Sequence, residues 1–347
     1  MSLFSPFFRD VGIDLGTANS LIYLKHEGLR INQPTVAAVN TKTNQVLAVG
    51  EDAKKMLGRT PSYINVIRPL TNGVVSDFEM AEELLRNFLR QLRGRSVMSF
   101  RRGILAIPNH LTEVERKSAE DAARNAGCAQ VFLVESPVAA ALGAGLPIGQ
   151  PTASLIVDIG GGTTDIAVIS MGGTVISKTL KVAGDKFNED VMRFVREEFR
   201  LAIGEPSAEA AKIAVGSAIP LDERLEFAIR GRDLGTGLPR EVVLKNGHVR
   251  LALHKSLRTI VEAIHEVIES TPPELTGDML EQGIYLCGGG SLLRGLAPLI
   301  QKETLVQTAI ADDPLTCVIR GLGRIVDRYE EHQGLLDNPL KPLTINL

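Results

Sequence analysis

Two stretches of the chain share one order of apolar and polar positions. Residues 11–24 (VGIDLGTANSLIYL) and 155–169 (LIVDIGGGTTDIAVI) each contain an apolar run, an aspartate, a glycine-containing turn, a threonine and a second apolar run. Apolar runs on either side of a short polar turn are typical of two buried strands joined as a β-hairpin. In both segments the turn therefore carries the polar chemistry.

The two hairpins indicate an internal repeat. Aligning Asp14 with Asp158 gives an offset of 158 − 14 = 144 residues, which is about the size of one domain. A chain of 347 residues is long enough for two such domains. We therefore expect an α/β fold with two similar halves.

Segments with helical spacing alternate with short apolar runs in the remaining sequence. The segment 111–127 has the pattern of a helix with a capping box, from Thr112 to Glu115, and ends on Gly127. The segment 137–146 is so rich in Ala and Gly that another element must pack close to it. The pattern predicts further helices at 79–94, 186–203, 207–214 and 255–270, and strands at 104–108, 131–135 and 284–287.

Composition excludes several classes of protein. Hydrophobic residues make up 44% and charged residues 23% of the chain, as in an ordinary globular protein. The net charge of −3 and the lack of a large basic patch give no basis for a nucleic-acid partner. The three cysteines lack metal-ligand spacing and fit a reducing compartment. With no apolar run of about 18 residues and no signal-peptide pattern, a cytoplasmic protein is expected.

The hairpin turns have the chemistry of a phosphate site. Glycines allow several backbone N–H groups to converge on phosphate oxygens, and hydroxyl groups add donors. The turns at 16–19 and 160–164 could together hold a polyphosphate. Asp14 and Asp158, at the ends of the preceding strands, would orient the waters of a bound Mg²⁺. Each turn alone is equally compatible with an ordinary hairpin, whereas the pair in register favours phosphate binding.

Two further groups are candidates for nucleoside contacts. The run Gly288, Gly289, Gly290, Ser291 follows a strand and opens a helix, where the backbone can approach a ligand closely. It has no lysine and is not a Walker loop; a tight structural turn is the alternative. Glu209 and Lys212 lie three residues apart on one helix face and could bracket a ribose or base edge, or form a solvated ion pair.

The motifs DLGTANS, LGRTP, DIGGGTTDIAVIS, IGE-x-x-AE-x-x-K and CGGGSLLRGL resemble the actin, sugar-kinase and heat-shock ATPase superfamily, and specifically the MreB family of bacterial actins. The resemblance extends from about residue 10 to about residue 325. It implies an α/β, actin-like two-lobed ATPase fold with duplicated core domains and two smaller inserted subdomains. The implied first lobe is 1–145 plus 315–347 with a small subdomain at about 33–70; the second is 146–314 with a small subdomain at about 182–245.

The same resemblance implies ATP and Mg²⁺ as ligands and assigns residues to them. The implied phosphate contacts are Thr17, Ala18, Asn19, Gly161, Gly162 and Thr163. The implied nucleoside contacts are Glu209, Lys212, Gly289, Gly290, Ser291 and Leu292.

One position departs from the family pattern. The family normally has a glutamate, thought to position the attacking water, directly before the proline that is Pro137 here; this chain has Ser136 at that place and Glu135 one residue earlier. Because neighbouring strand residues point to opposite faces, Glu135 should face away from the site unless the backbone shifts. We expect slow ATP hydrolysis with Thr163 as the main water-contacting group. The alternative is that Glu135 moves into the missing role.

Two apolar segments are candidates for membrane contact. The N-terminal segment contains Leu3, Phe4, Phe7 and Phe8, and a second segment contains Val97, Met98 and Phe100, flanked by arginines at 93, 95, 101 and 102. Arginines beside apolar tips suit an interface with anionic headgroups, and the resemblance implies membrane binding at similar places. A frayed terminus and a loop packed on the protein are the alternative.

These patterns together predict an ATP-binding bacterial actin. The resemblance implies self-association into paired protofilaments at the inner face of the cell membrane, where they organise the cell-wall elongation machinery and rod shape. The alternatives are a plasmid-segregating actin, the division actin FtsA or a monomeric chaperone-like ATPase. A chaperone would need a peptide-binding domain, and the segment after residue 325 is too short to form one.

Overall fold

The computed structural model of the chain describes residues 9–93 and 100–336. Its strands are β1 (Arg9–Leu15), β2 (Asn19–Leu24), β3 (Gly28–Pro34), β4 (Ala37–Asn40), β5 (Val46–Val49), β6 (Ile64–Ile67), β7 (Leu70–Thr71), β8 (Val74–Val75), β9 (Phe100–Ile107), β10 (Cys128–Glu135), β11 (Ser154–Ile159), β12 (Thr164–Ser170), β13 (Gly173–Leu180), β14 (Leu201–Ala202), β15 (Glu226–Asp233), β16 (Pro239–Lys245), β17 (Ile284–Cys287) and β18 (Thr308–Ile310). Its α-helices are α1 (Glu51–Met56), α2 (Phe78–Arg93), α3 (Glu113–Ala126), α4 (Ser136–Ala144), α5 (Gly184–Phe199), α6 (Glu205–Val215), α7 (Asn246–Ser270), α8 (Pro273–Gln282), α9 (Leu296–Thr304) and α10 (Cys317–Asp327).

Contacts between Cα atoms divide the chain into two compact units. Unit 1 comprises 1–152, 169–175 and 315–347, and unit 2 comprises 153–168 and 176–314. The sequence-based division at 145/146 assigned 146–152 and 169–175 to the second lobe. The contacts assign both segments to unit 1, the second of them comprising the end of β12, the turn and the start of β13. Within the described ranges, the helices are all too short or too polar to cross a membrane.

Unit 1 is built on a sheet with strand order β10-β9-β1-β2-β3. The hairpin β1–β2 is antiparallel, and β9 runs parallel to both β1 and β10. The residues of β9 are apolar in an unbroken run because both faces of this strand are buried. Leu105 and Ile107 pack in the core under α2 and α3, and Ile104 and Ala106 pack in the core under α4 and α10. Both faces of the sheet are therefore covered by helices, as sheets with parallel strands require.

Unit 2 repeats this arrangement with the order β13-β12-β11-β17-β18. Strands β11, β17 and β18 are parallel neighbours. One core joins β11 and β12 to α5, α6, α7 and α9. Smaller sheets lie within the two chain ranges predicted for subdomains: β5-β4-β6 beside α1, and β14-β15-β16.

The Ala- and Gly-rich helix α4 packs closely against α10. A Cβ atom added at Gly143 would lie 1.8 Å from the carbonyl oxygen of Cys317, and one added at Gly321 would lie 1.8 Å from the carbonyl oxygen of Ala139. These distances leave no room for any side chain. The prediction that another element lies close to this helix is confirmed.

Most predicted elements are present with bounds that differ by a few residues. Helix α3 has the predicted capping box between Thr112 and Glu115 and ends on Gly127. Helix α7 begins at Asn246, earlier than the predicted 255. The prediction began too late because Asn and Gly, which open the helix at 246 and 247, are typical turn residues. In the structure the Asn246 side chain donates to the carbonyl of Glu223 and so anchors the start of the helix.

Candidate functional site

The first glycine turn lies in unit 1 between β1 and β2. The N–H of Gly16 donates to the carbonyl of Asn19 at 3.1 Å, and Asp14 lies at the end of β1. A Cβ at Gly16 would be 2.7 Å from the carbonyl oxygen of Asn19. Thr35, which follows β3, stabilises the turn: its hydroxyl donates a hydrogen bond to the Gly16 carbonyl at 2.6 Å. The predicted tight hairpin turn is thus present, and it requires glycine.

Thr17 presents a hydroxyl whose own proton can be donated. Its side chain is buried, and its Oγ1 accepts a hydrogen bond from the N–H of Gly73, in the β7–β8 turn, at 2.9 Å. A hydroxyl has one proton and two lone pairs. Because Thr17 Oγ1 acts as an acceptor toward Gly73, the proton can point to a phosphate oxygen.

The second glycine turn lies in unit 2 between β11 and β12. The N–H of Gly160 donates to the carbonyl of Thr163 at 2.9 Å. The first two N–H groups of helix α5 hold the turn from behind: Gly184 donates to Gly160 at 3.1 Å and Asp185 donates to Gly161 at 2.8 Å. These bonds use the carbonyl groups of Gly160 and Gly161, and the N–H of Gly160 is bonded within the turn. The N–H groups of Gly161, Gly162 and Thr163 are therefore the ones that could meet an anion.

Asp158 lies behind this turn at the end of β11. It pairs in register with Cys287 of β17. Burial and the negative charge of Asp165 raise the pKa of the Asp158 carboxyl to about 7. Desolvation disfavours the ionised carboxylate, and a second carboxylate adds to this effect.

The third glycine run packs against the end of β11. A Cβ at Gly288 would be 2.4 Å from a carboxylate oxygen of Asp158, and one at Gly290 would be 2.2 Å from Cγ2 of Ile159. Residues Gly289–Leu292 form a 3₁₀ helix, in which the Ser291 side chain is buried and its hydroxyl donates to the Gly288 carbonyl at 2.7 Å. Leu292 is 53% exposed. Close packing alone thus explains two of the glycines, and Ser291 can offer a ligand only its backbone.

Glu209 and Lys212 lie on one face of α6, as the spacing predicts. The Nζ of Lys212 donates to the carbonyl of Gly184 at 3.1 Å. Since the N–H of Gly184 is bonded to the carbonyl of Gly160, Lys212 is connected to the second glycine turn. The structure therefore brings together Asp158, the turn at 160–163, the 288–292 run and Lys212 in unit 2.

Ser136 and Glu135 occupy the junction between β10 and α4 in unit 1. Glu135 is the last residue of β10 and precedes the first turn of α4. Its Oε2 accepts hydrogen bonds from Asn109 Nδ2 at 2.9 Å and from the hydroxyl of Thr174. The Glu135 carboxylate is thus held by its own neighbours, while Ser136 is half-buried at the start of the helix.

The membrane segments lie mostly outside the described residues. This holds for Leu3, Phe4, Phe7, Phe8, Val97 and Met98. Phe100 is described, and its predicted membrane contact is wrong: it begins β9, pairs with Arg9 and Cys128, and is 2% exposed. It lies on an interior strand of the sheet, and its side chain packs in the core under α2 and α3.

Several residues near these sites were not expected from the sequence. Asp165 is buried and accepts hydrogen bonds from Thr163 and Thr179. Asn109 and Thr174 hold Glu135 from distant parts of the chain. The sequence does carry a signal for Asp165, because it is a charged residue in an otherwise apolar run after DIGGGTT. No local sequence pattern indicates the contacts of Asn109 or Thr174 with Glu135.

Known proteins resemble this chain over nearly its whole length. A family model described as MreB/Mbl protein matches residues 8–334. The chain is 45% identical to the cell shape-determining protein Mbl of Bacillus subtilis (strain 168), over 94% of this chain and 98% of that protein. It is 44% identical to the cell shape-determining protein MreB of Escherichia coli (strain K12), over 94% and 96% respectively.

Solved structures show the same similarity. MreB5 of Spiroplasma citri bound to ADP matches with a TM-score of 0.90 and 37% identity, over 94% of this chain and 98% of that chain. The same protein bound to AMPPNP matches with a TM-score of 0.88 and 36% identity, over the same shares of the two chains. A chain of the MamK double helical filament matches with a TM-score of 0.79 at 24% identity, over 92% and 98%, and agrees in fold.

Proposed function

Because the chain belongs to the MreB/Mbl family and is an actin-like cell-shape protein, we propose that it binds ATP and polymerises into filaments at the inner face of the cell membrane. The observation that carries the nucleotide proposal is the turn at 160–163. The carbonyl groups of Gly160 and Gly161 are bonded to the start of α5, and Asp158 lies at the end of the preceding strand. The N–H groups of Gly161, Gly162 and Thr163 would meet the anion.

Nucleotide binding is also supported by the ligands of related structures and by the turn at 16–19. MreB5 of Spiroplasma citri has been solved with ADP and with AMPPNP. We propose that the turn at 16–19 and the turn at 160–163 both contribute to one bound triphosphate. Thr17 would donate its hydroxyl proton, and the backbone N–H groups of both turns would meet the phosphates. Glu209, Lys212 and the 289–292 backbone are the proposed nucleoside contacts.

The residues present fit a hydrated Mg²⁺ with the nucleotide. Among the described residues, no group of three or more His, Cys, Asp or Glu side chains could hold a metal directly. Asp158, by contrast, is a desolvated carboxylate close to the charge of Asp165, an arrangement that a cation relieves. Asp14 and Asp158 would hold the ion through water, and the ion would neutralise phosphate charge.

We propose that hydrolysis of the bound ATP is slow and that assembly places the protein among the cell-wall elongation machinery. The slow rate follows from Ser136, which has no carboxylate to orient water. The cellular role follows from the family, whose Mbl and MreB members are named cell shape-determining proteins. Sedimentation of purified protein with and without ATP and Mg²⁺ tests polymerisation; an unchanged pellet would contradict it.

Substitution of each turn tests nucleotide binding. Replacing Gly161 with Leu or Thr17 with Tyr should each abolish saturable binding of a fluorescent ATP analogue, because a bulky side chain would fill the space of the phosphates. Gly277→Ala is the control, since a Cβ at Gly277 meets nothing within 4 Å. Retained affinity in either turn variant would show that one turn is sufficient.

A further inference from the structure

A buried carboxylate fixes the hydroxyl of Thr163. The Oδ2 of Asp165 accepts a hydrogen bond from Thr163 Oγ1 at 3.0 Å, and its Oδ1 accepts from Thr179 Oγ1 at 2.5 Å. Asp165 is 6% exposed and Thr163 is 9% exposed. In both hydrogen bonds the threonine hydroxyl is the donor, so both threonine protons point at Asp165.

This arrangement decides what Thr163 can offer to a ligand. A threonine hydroxyl has a single proton. Because that proton is directed to Asp165, Oγ1 can present only lone pairs to anything else it meets. Without Asp165, the same hydroxyl could rotate and act as either donor or acceptor.

The orientation matters for a water that attacks phosphorus. The attacking water must direct an oxygen lone pair at the phosphate and its hydrogens elsewhere. A hydroxyl that acts as donor would occupy one of the two lone pairs of the water and would accept neither of its hydrogens. A hydroxyl that can only accept binds a hydrogen of the water and leaves the lone pair for the reaction.

We propose that Asp165 is a positioning residue for ATP hydrolysis, which fixes Thr163 as a hydrogen-bond acceptor for the attacking water, with Thr179 holding the other oxygen of the carboxylate. The inference rests on the proposed ATP-binding function. The Asp165–Thr163 pair matters in this chain because Ser136 supplies no carboxylate that could orient the water.

A double-mutant cycle on single-turnover phosphate release tests the proposal, with protein in excess so that the rate is measured on bound ATP. Asp165→Ala and Thr163→Val should each slow release by about tenfold. The double variant should be no slower than Thr163→Val alone, because Asp165 acts through Thr163. Asp165→Asn, which keeps one acceptor oxygen, should fall between wild type and Asp165→Ala.

The matched control is Thr271→Val. Thr271 is a buried threonine of unit 2, outside the proposed site, whose hydroxyl donates to the Val267 carbonyl at 2.7 Å. Its loss should lower the thermal midpoint without changing the rate on bound ATP. If Asp165→Ala does not fold, the same cycle with Asp165→Asn is decisive, since it also predicts no further loss in the double variant.

The outcomes separate this inference from the proposed function. An unchanged rate in Asp165→Ala, or additive losses in the double variant, would overturn the positioning role. Wild-type protein that binds ATP but releases no phosphate would also overturn it, while leaving nucleotide binding intact. Wild-type protein that binds no ATP would overturn the proposed function itself.

Discussion

Ser136 is a single residue on which the rate of hydrolysis is expected to depend. A carboxylate that orients water contributes on the order of 10²- to 10⁴-fold in rate, and a serine hydroxyl has no negative charge. We predict that Ser136→Glu speeds phosphate release under polymerising conditions. Glu135→Ala should leave the rate unchanged, because the Glu135 carboxylate is bonded to Asn109 and Thr174.

Nucleotide affinity and thermal midpoint should be measured in both variants, since Glu135→Ala also leaves Asn109 and Thr174 without an acceptor. A loss of phosphate release in Glu135→Ala at unchanged ATP affinity would identify Glu135 as the working carboxylate. In that case Ser136 would not be the cause of slow hydrolysis.

Asp158 should make the stability of the nucleotide-free protein depend on pH. Its carboxyl pKa is raised from 3.8 to about 7 in the folded chain, so the native state binds this proton more tightly than the unfolded state. The free energy of unfolding should therefore fall as pH rises between about 4 and about 7. Asp158→Asn removes the ionisation and should stabilise the protein at pH 8 by roughly 1 to 3 kcal/mol.

Urea unfolding of both proteins without Mg²⁺ measures this difference. At pH 4 the gain from Asp158→Asn should largely vanish, because wild-type Asp158 is then protonated in the native state. An equal effect of the substitution at both pH values would contradict the expected linkage.

At the scale of elements, the contact between α4 and α10 depends on glycine. Ala normally favours a helix over Gly by up to about 1 kcal/mol. At Gly143 and Gly321, however, the added Cβ would lie 1.8 Å from a backbone carbonyl oxygen of the other helix. Gly143→Ala and Gly321→Ala should therefore each lower the free energy of unfolding by about 1 to 3 kcal/mol or more, because the helices must move apart.

Urea midpoints measure this effect, and Gly277→Ala in α8 is the matched control. Its added Cβ meets nothing within 4 Å, so this variant should be neutral or slightly more stable. Stabilisation by Gly321→Ala would show that the two helices can separate at little cost.

For the whole molecule, the remaining prediction concerns membrane binding. Leu3, Phe4, Phe7, Phe8, Val97 and Met98 are the proposed contacts, whereas Phe100 belongs to the core. One weak anchor binds marginally, and polymerisation multiplies it. Replacing the six residues with serine should abolish flotation with anionic liposomes, most clearly in the presence of ATP and Mg²⁺.

The control for flotation replaces exposed leucines elsewhere. Leu251 and Leu280 are 63% and 64% exposed on α7 and α8. Serine at both positions removes surface hydrophobicity without touching the proposed contacts and should leave flotation unchanged. Undiminished flotation of the six-residue variant would exclude these segments as the anchor.

The sequence by itself determined the features that depend on neighbouring residues. Hairpin turns with glycine, the capping box of α3 and the two-fold repeat all follow from periodicity and from the backbone needs of a few adjacent positions. The family could be recognised from the same motifs, because each glycine turn is formed by residues that are consecutive in the chain.

Only the tertiary structure decided which side chains are buried or hydrogen-bonded within the protein and so are not available to a ligand or a membrane. Glu135 is held by Asn109 and Thr174, Ser291 is turned inward, and Phe100 is buried at the start of an interior strand. Thr163 is fixed as an acceptor by Asp165, which Thr179 also contacts. Hydrogen-bond partners and burial depend on residues that are distant in sequence and are brought together by packing, so no local pattern encodes them.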